Sequence, residues 1–248
     1  MSQESPQRPL FSRLDLPSLT LGTLLCLGLL GLGAILGYSA LRHKAFERTV
    51  IVKGLSEREY PADIAIWPIE VVVADHDLAD LHALLDERSN LVRRFLLESG
   101  FYADELSFGA PVVRDSYADP YRNPETAAFR YTGSRTVTGY TNKVDTVRST
   151  QSRLGELGRS GVVLSADDWR NTTQYMFTAL NDVKPSMIEE ATRNAREVAE
   201  KFAADSQSRL GRIRHASQGQ FTINDRDANN PQIKTVRVVS TVEYYLAD

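Results

Sequence analysis

One stretch limits the fold more than any other. From Leu16 to Leu41 the chain carries no charged residue for 26 positions, between Asp15 and the cluster Arg42, His43, Lys44. As a helix, at about 1.5 Å per residue, it spans roughly 39 Å, more than the ~30 Å hydrocarbon core, so it can cross a bilayer with some tilt. A core helix of a soluble domain would show a polar face, and this run shows none. A cleaved export signal has an apolar region of about 7 to 15 residues before a small-x-small site. Gly37-Tyr38-Ser39 matches that site poorly, so we expect an uncleaved transmembrane anchor over 16–41. Residues 1–15, with Ser, Gln, Pro and scattered charge, read as a disordered tail. Gly33-x-x-x-Gly37 has the spacing of a helix-pairing face, a spacing that Gly-rich apolar spans also produce by chance.

Orientation is contested by the flanks. Arg8 and Arg13 precede the run, whereas Arg42, Lys44, Arg48 and Lys53 follow it. Read literally, the positive-inside rule places the C-terminal side in the cytoplasm, but long following domains translocate largely regardless of such charges.

What remains, residues 46–248, is enough for one domain with a real core or two small ones, and no linker separates halves. A net charge of −3 and a pI near 5.9 give no electrostatic footprint for nucleic acid. The single cysteine, Cys26, lies in the apolar run, so the folded part has no disulfide framework and rests on packing.

Two periodicities alternate along it. Thr49–Glu57 and Pro61–Asp75 are rich in β-branched residues around a polar Arg58-Glu59-Tyr60 turn, which predicts a strand pair, with Pro68 at a bulge or an edge. Leu78, Leu81, Leu85, Val92 and Leu96 then form a helical stripe, capped by Asp77 and ended by Gly100. Residues 105–117 and 127–149 read as strands around the Asp-, Asn- and Pro-rich loop 116–126. A short helix near Thr150 to Leu157 and a strand near Thr173 to Leu180 follow. A long helix opens with Pro185 in its first turn and carries Ile188, Ala191, Ala195, Val198 and Phe202 at helical spacing. The chain closes with strands over 212–223 and 234–246; in the second, Val236, Val238, Val242, Tyr244 and Leu246 alternate with polar residues. The fold class is α+β, antiparallel sheet with two long amphipathic helices packed on it.

The search for chemistry yields little. His43, His76, His82 and His215 form no H-E-x-x-H or other zinc spacing, and there is no G-x-S-x-G elbow, P-loop or Rossmann turn. Asp225, Asp227 and Asn229 begin like a calcium loop, but Asn230 replaces the turn glycine and Val236 stands where a bidentate Glu belongs. A solvated hairpin loop capped by Asx side chains explains them better. Asp75, His76, Asp77 and Asp80 crowd a helix start, where anions complement the dipole and free amides without any ligand. Asn171-Thr172-Thr173 is a glycosylation sequon by pattern. We expect no catalytic, cofactor-binding or metal-binding residue, and no cofactor.

Several segments resemble the SIMPL (DUF541) family. Val52-Lys53-Gly54 followed by Pro61-Ala62-Asp63-Ile64-Ala65 looks like its opening signature. Ser99–Phe108, the Gly139-Tyr140 strand and the Ala-Arg-rich helix closing on Leu210-Gly211-Arg212-Ile213 fit in order. Coverage runs from about 48 to 246. Two departures are Gly54-Leu55-Ser56, where the family has Gly-x-Gly, and the longer Asx-rich terminal loop. The resemblance implies a bacterial envelope protein, usually periplasmic, from a family associated with stress tolerance, surface antigenicity and large homo-oligomers, with no agreed reaction. It sides against the flank charges: a single-pass inner-membrane protein with a cytoplasmic tail and a periplasmic C-terminal domain. We therefore expect a non-enzymatic assembly or interaction protein, a homo-oligomer, with a periplasmic small-ligand or metal-binding module as the alternative.

Overall fold

The computed structural model describes residues 16–45, 48–118, 128–165 and 171–247. The tail 1–15 and most of the loop 116–126 lie outside them. The antiparallel α+β class holds: among the described residues there are five α-helices and ten strands, and every register given is antiparallel. Helix α1 (Leu16–Ala45) outlasts the uncharged run. Its segment Thr20–Tyr38 is nowhere buried, and it is long and apolar enough to cross a bilayer, a property an N-terminal signal sequence shares. Gly33 and Gly37 lie one turn apart on it, with open space around each.

The remaining elements are β1 (Thr49–Pro61), β2 (Ile64–Asp75), α2 (Leu78–Glu98), β3 (Leu106–Phe108), β4 (Val112–Asp115), β5 (Tyr131–Thr141), α3 (Val144–Gln151), α4 (Gly155–Arg159), β6 (Val163–Leu164), β7 (Gln174–Met176), α5 (Leu180–Asp205), β8 (Arg209–Gln218), β9 (Thr222–Asp225) and β10 (Ile233–Ala247). One sheet has the order β1-β10-β8 with β9 also on β10; the other has β3-β5-β2-β6 with β4 on β5 and β7 on β2. The chain divides into two compact units, Met1–Gly54, Arg193–Ser217 and Thr241–Asp248 in one, Leu55–Thr192 and Gln218–Ser240 in the other. No linker marks the division in sequence because β1, α5 and β10 each contribute to both.

The expected β1–β2 pair does not form. Strand β1 runs on through the Arg58-Glu59-Tyr60 segment to Pro61, β2 starts only at Ile64, and the two belong to different sheets. At the two-residue joint the Ala62 amide donates to Gln232 O at 2.7 Å and the Asp63 amide to Met176 O at 2.9 Å, so long-range partners take the groups a hairpin would use.

In the second unit, β2 buries its odd positions Ala65, Trp67, Ile69, Val71 and Val73, against which α2 lays Leu81, Leu85, Val92 and Leu96, all fully buried. Leu78 falls off the stripe and is exposed. Asp77 caps as expected, its Oδ1 accepting from the Ala79 amide at 2.7 Å and the Asp80 amide at 3.1 Å, and Gly100 ends the helix at φ +100°.

Pro68 lies inside a central strand. Its neighbour β5 runs the whole length of β2, with Pro68 opposite Thr138, while the other side is covered by β7 at 64–66 and β6 at 71–72. Ser165 N donates to Glu70 O on that second side, so the backbone of Pro68, two residues earlier, faces the gap between β7 and β6. Among the described residues no strand lies opposite the missing N–H.

Two further expectations are corrected. The strand through residue 149 stops at Thr141, and Val144–Gln151 is helical, with Val147 and Thr150 buried one turn apart. The strand near 173–180 is only β7, because α5 starts at Leu180. Pro185 therefore stands inside the helix rather than in its first turn. Asp63 explains the earlier start: its carboxylate accepts from the amides of Thr178 at 2.9 Å and Ala179 at 3.0 Å and from the Thr178 hydroxyl at 3.0 Å. From the joint between β1 and β2 it supplies an acceptor for the two amides just before the helix. Asp63→Ala should cost about 0.5–2 kcal/mol in urea denaturation, whereas Asp63→Asn, which keeps an acceptor, should cost less.

The buried ridge of α5 also differs from the expected stripe. In the second unit Met187 and Ala191 pack on Val236 and Val238, and in the first unit Ala195 and Ala199 pack on Val52, Val242 and Tyr244. Val198 and Phe202 are left exposed. A ridge of alanines lets helix and sheet approach closely, which a ridge carrying Val198 and Phe202 would prevent.

Candidate functional site

The residues singled out by sequence are occupied by local structure. Asp75 Oδ1 accepts the His76 amide at 2.6 Å and the Asp77 amide at 3.0 Å, so this carboxylate closes a turn, and Asp77 caps α2. His76 and His82 are exposed before and on α2, His76 with its ring 5.2 Å from that of Phe129. His215 is exposed on β8. Among the described residues no three His, Cys, Asp or Glu side chains are grouped to hold a metal.

In the β9–β10 loop, Asp227 accepts from the amides of Asn229 and Asn230, each at 2.9 Å, and from Arg226 Nε at 2.9 Å. Those contacts, led by Arg226, hold its carboxyl below the usual range. Asp225 pairs with Lys234, and Val236 is fully buried. The calcium-like spacing thus serves turn formation, as the Asx-loop reading expects. Asn171 donates its side-chain amide to Glu70 at 2.8 Å, which occupies the nitrogen a glycan would take.

The second unit instead offers a groove that sequence spacing did not reveal. The start of α3, strand β7 and the β9–β10 loop converge on two adjoining hollows of about 370 and 510 Å³, both lined by Arg148 and Gln232. Arg148 is exposed and makes no ion pair among the described residues. Gln151 donates to the Thr173 hydroxyl at 2.7 Å, and the Tyr175 hydroxyl lies 3.5 Å from Gln151 Oε1. Burial pushes the Tyr175 phenol upward, against the opposing pull of Arg148, so it stays a neutral hydroxyl at ordinary pH. Among the described residues the groove offers the unpaired Arg148 cation, Lys143, one carboxylate, Asp145, and several amide and hydroxyl groups, with no histidine or cysteine in its lining. That is equipment for holding an anionic or polar molecule.

A second polar cluster is structural. Glu105 accepts from the Thr141 hydroxyl at 2.7 Å and the Tyr102 amide at 2.6 Å and pairs with Lys143 at 3.4 Å. Lys143 also donates to Gly100 O at 2.9 Å and lies 3.3 Å from the centre of the Tyr102 ring. It ties the turn after α2 to the end of β5.

No curated protein matches the chain. The sequence model of the SIMPL family, described as a protein of unknown function (DUF541), matches residues 50–244, from early β1 almost to the end of β10. With more than three quarters of its length so matched, the chain belongs to the SIMPL (DUF541) family.

Proposed function

We propose that this chain is a membrane-anchored module of the bacterial cell envelope that works through self-assembly and interaction, not catalysis. In this reading α1 spans the inner membrane and residues 46–248 lie in the periplasm, in a setting of stress tolerance. The observation that carries the proposal is the pair of terminal strands of the β1-β10-β8 sheet. Among the described residues β1 and β8 are its terminal strands, and on them Ile51 and Ile213 stand 65% and 50% exposed. Unpaired strand edges beside exposed branched aliphatics are templates for another chain, and an anchor that confines copies to a plane raises their encounter. Light scattering on the detergent-extracted full chain should show a defined multimer, dispersed by Ile51→Lys with Ile213→Lys. A monomeric wild type overturns assembly.

The groove at Arg148 favours a second reading, a module for a small anionic ligand. Under it the melting temperature would rise with an anionic metabolite, and Arg148→Ser would abolish the rise.

A further inference from the structure

We infer that the end of the first unit nearest the anchor is a docking surface for anionic phospholipid headgroups. This rests on the reading of α1 as a membrane span. The uncharged run ends at Leu41 and the helix at Ala45, about 6 Å further along its axis. Only residues 46 and 47 separate Ala45 from Arg48, so the two α-carbons are at most roughly 11 Å apart. Arg48 is therefore held near the bilayer surface whatever the tilt of the span.

Four elements of this unit meet at Arg48. Its carbonyl accepts from the Leu246 amide near the end of β10 at 2.8 Å, and its guanidinium donates to the Ser208 hydroxyl at 3.1 Å, between the end of α5 and the start of β8. α5 closes there through Ser206 N to Phe202 O at 3.1 Å, and Gln207 takes a left-handed φ of 53° that turns the chain into β8. Lys201, Arg209 and Arg212 are exposed around this turn; Arg212 and, on β1, Lys53 have no partner among the described residues. Along the chain, Glu47, Glu200, Asp205 and Asp248 are the acids closest to these positions. Beyond residue 41 this unit has ten lysines and arginines against six acids, in a chain whose total is −3. Phe202, one turn before the end of α5, is 55% exposed. Cations beside an exposed aromatic at a surface-tethered end match a lipid interface in both charge and polarity.

The test uses the full chain in vesicles of phosphatidylcholine alone or mixed with phosphatidylglycerol. Flotation first checks the anchor: a chain that floats with neither vesicle overturns the membrane reading itself. For a chain that floats with both, Phe202→Trp reports lipid contact through quenching by brominated acyl chains. We expect quenching in the phosphatidylglycerol vesicles, suppressed by salt, and reduced about fivefold per cation removed in Arg209→Ser and Arg212→Ser, with flotation unchanged. Quenching that is absent, or equal in the two vesicle types, overturns the docking surface while leaving the anchor standing. An indole in the Phe202→Trp chain that is shielded from aqueous acrylamide yet unreached by lipid assigns the patch to a second copy, which also overturns it.

Discussion

Leu81→Ala should lower stability by about 2–5 kcal/mol in urea denaturation. Leu81 is fully buried on α2 and points at Gly133 of β5, where an added Cβ would stand 3.2 Å from Leu81 Cδ2 and 3.6 Å from Val73 Cγ2. The absent side chain of Gly133 is thus the space that Leu81 fills. Truncating the leucine loses its transfer energy and opens a cavity in a sheet-and-helix core that relaxes only in part. Gly133→Val alone overpacks the same volume. The double variant Leu81→Ala with Gly133→Val moves bulk from helix to strand and should recover about 0.5–3 kcal/mol relative to the sum of the single losses. Strictly additive losses would show that the two positions do not share that space.

Glu105→Gln should cost roughly 1–3 kcal/mol near neutral pH, since it removes the charge from a cluster whose other members stay in place. The Glu105 side chain is only 14% exposed. Burial alone would raise its pKa, but the hydrogen bonds from Thr141 and Tyr102 together with Lys143 prevail and hold the carboxyl below its ordinary value of 4.5. The folded state therefore binds this proton less readily than the unfolded one. Its contribution is fully present above the unfolded pKa and is lost as pH falls through the lower folded one. The difference in stability between wild type and Glu105→Gln should stay level at neutral pH and shrink on acidification below that ordinary value. A difference that is constant down to strongly acidic pH, or that grows, contradicts the assignment.

What the sequence disclosed depended on how far apart the partners lie. Helix α2 was legible in its stripe and its cap because Asp77 and the amides it serves are neighbours, and strand β10 was legible because alternation is a property of one strand. The SIMPL likeness marked Asp63 as part of a signature but not its role, since the amides it holds are 115 and 116 residues away. The expected β1–β2 hairpin fails for the same reason: proximity along the chain favours it, and distant carbonyls at Met176 and Gln232 win. On α5 two stripes compete at nearly equal spacing, and only the close approach of the sheet selects the alanines over Val198 and Phe202. The groove at Arg148 draws on α3, β7 and the β9–β10 loop, so no single stretch carries its pattern.

The proline in β2 has one more consequence. β6 and β7 are two pieces of a single run along β2, for between Leu164 and Gln174 the chain has nine residues where β2, between Val71 and Ile66, has four. Strand β2 offers no N–H at Pro68, between the two pieces, so the run is interrupted where no acceptor is required.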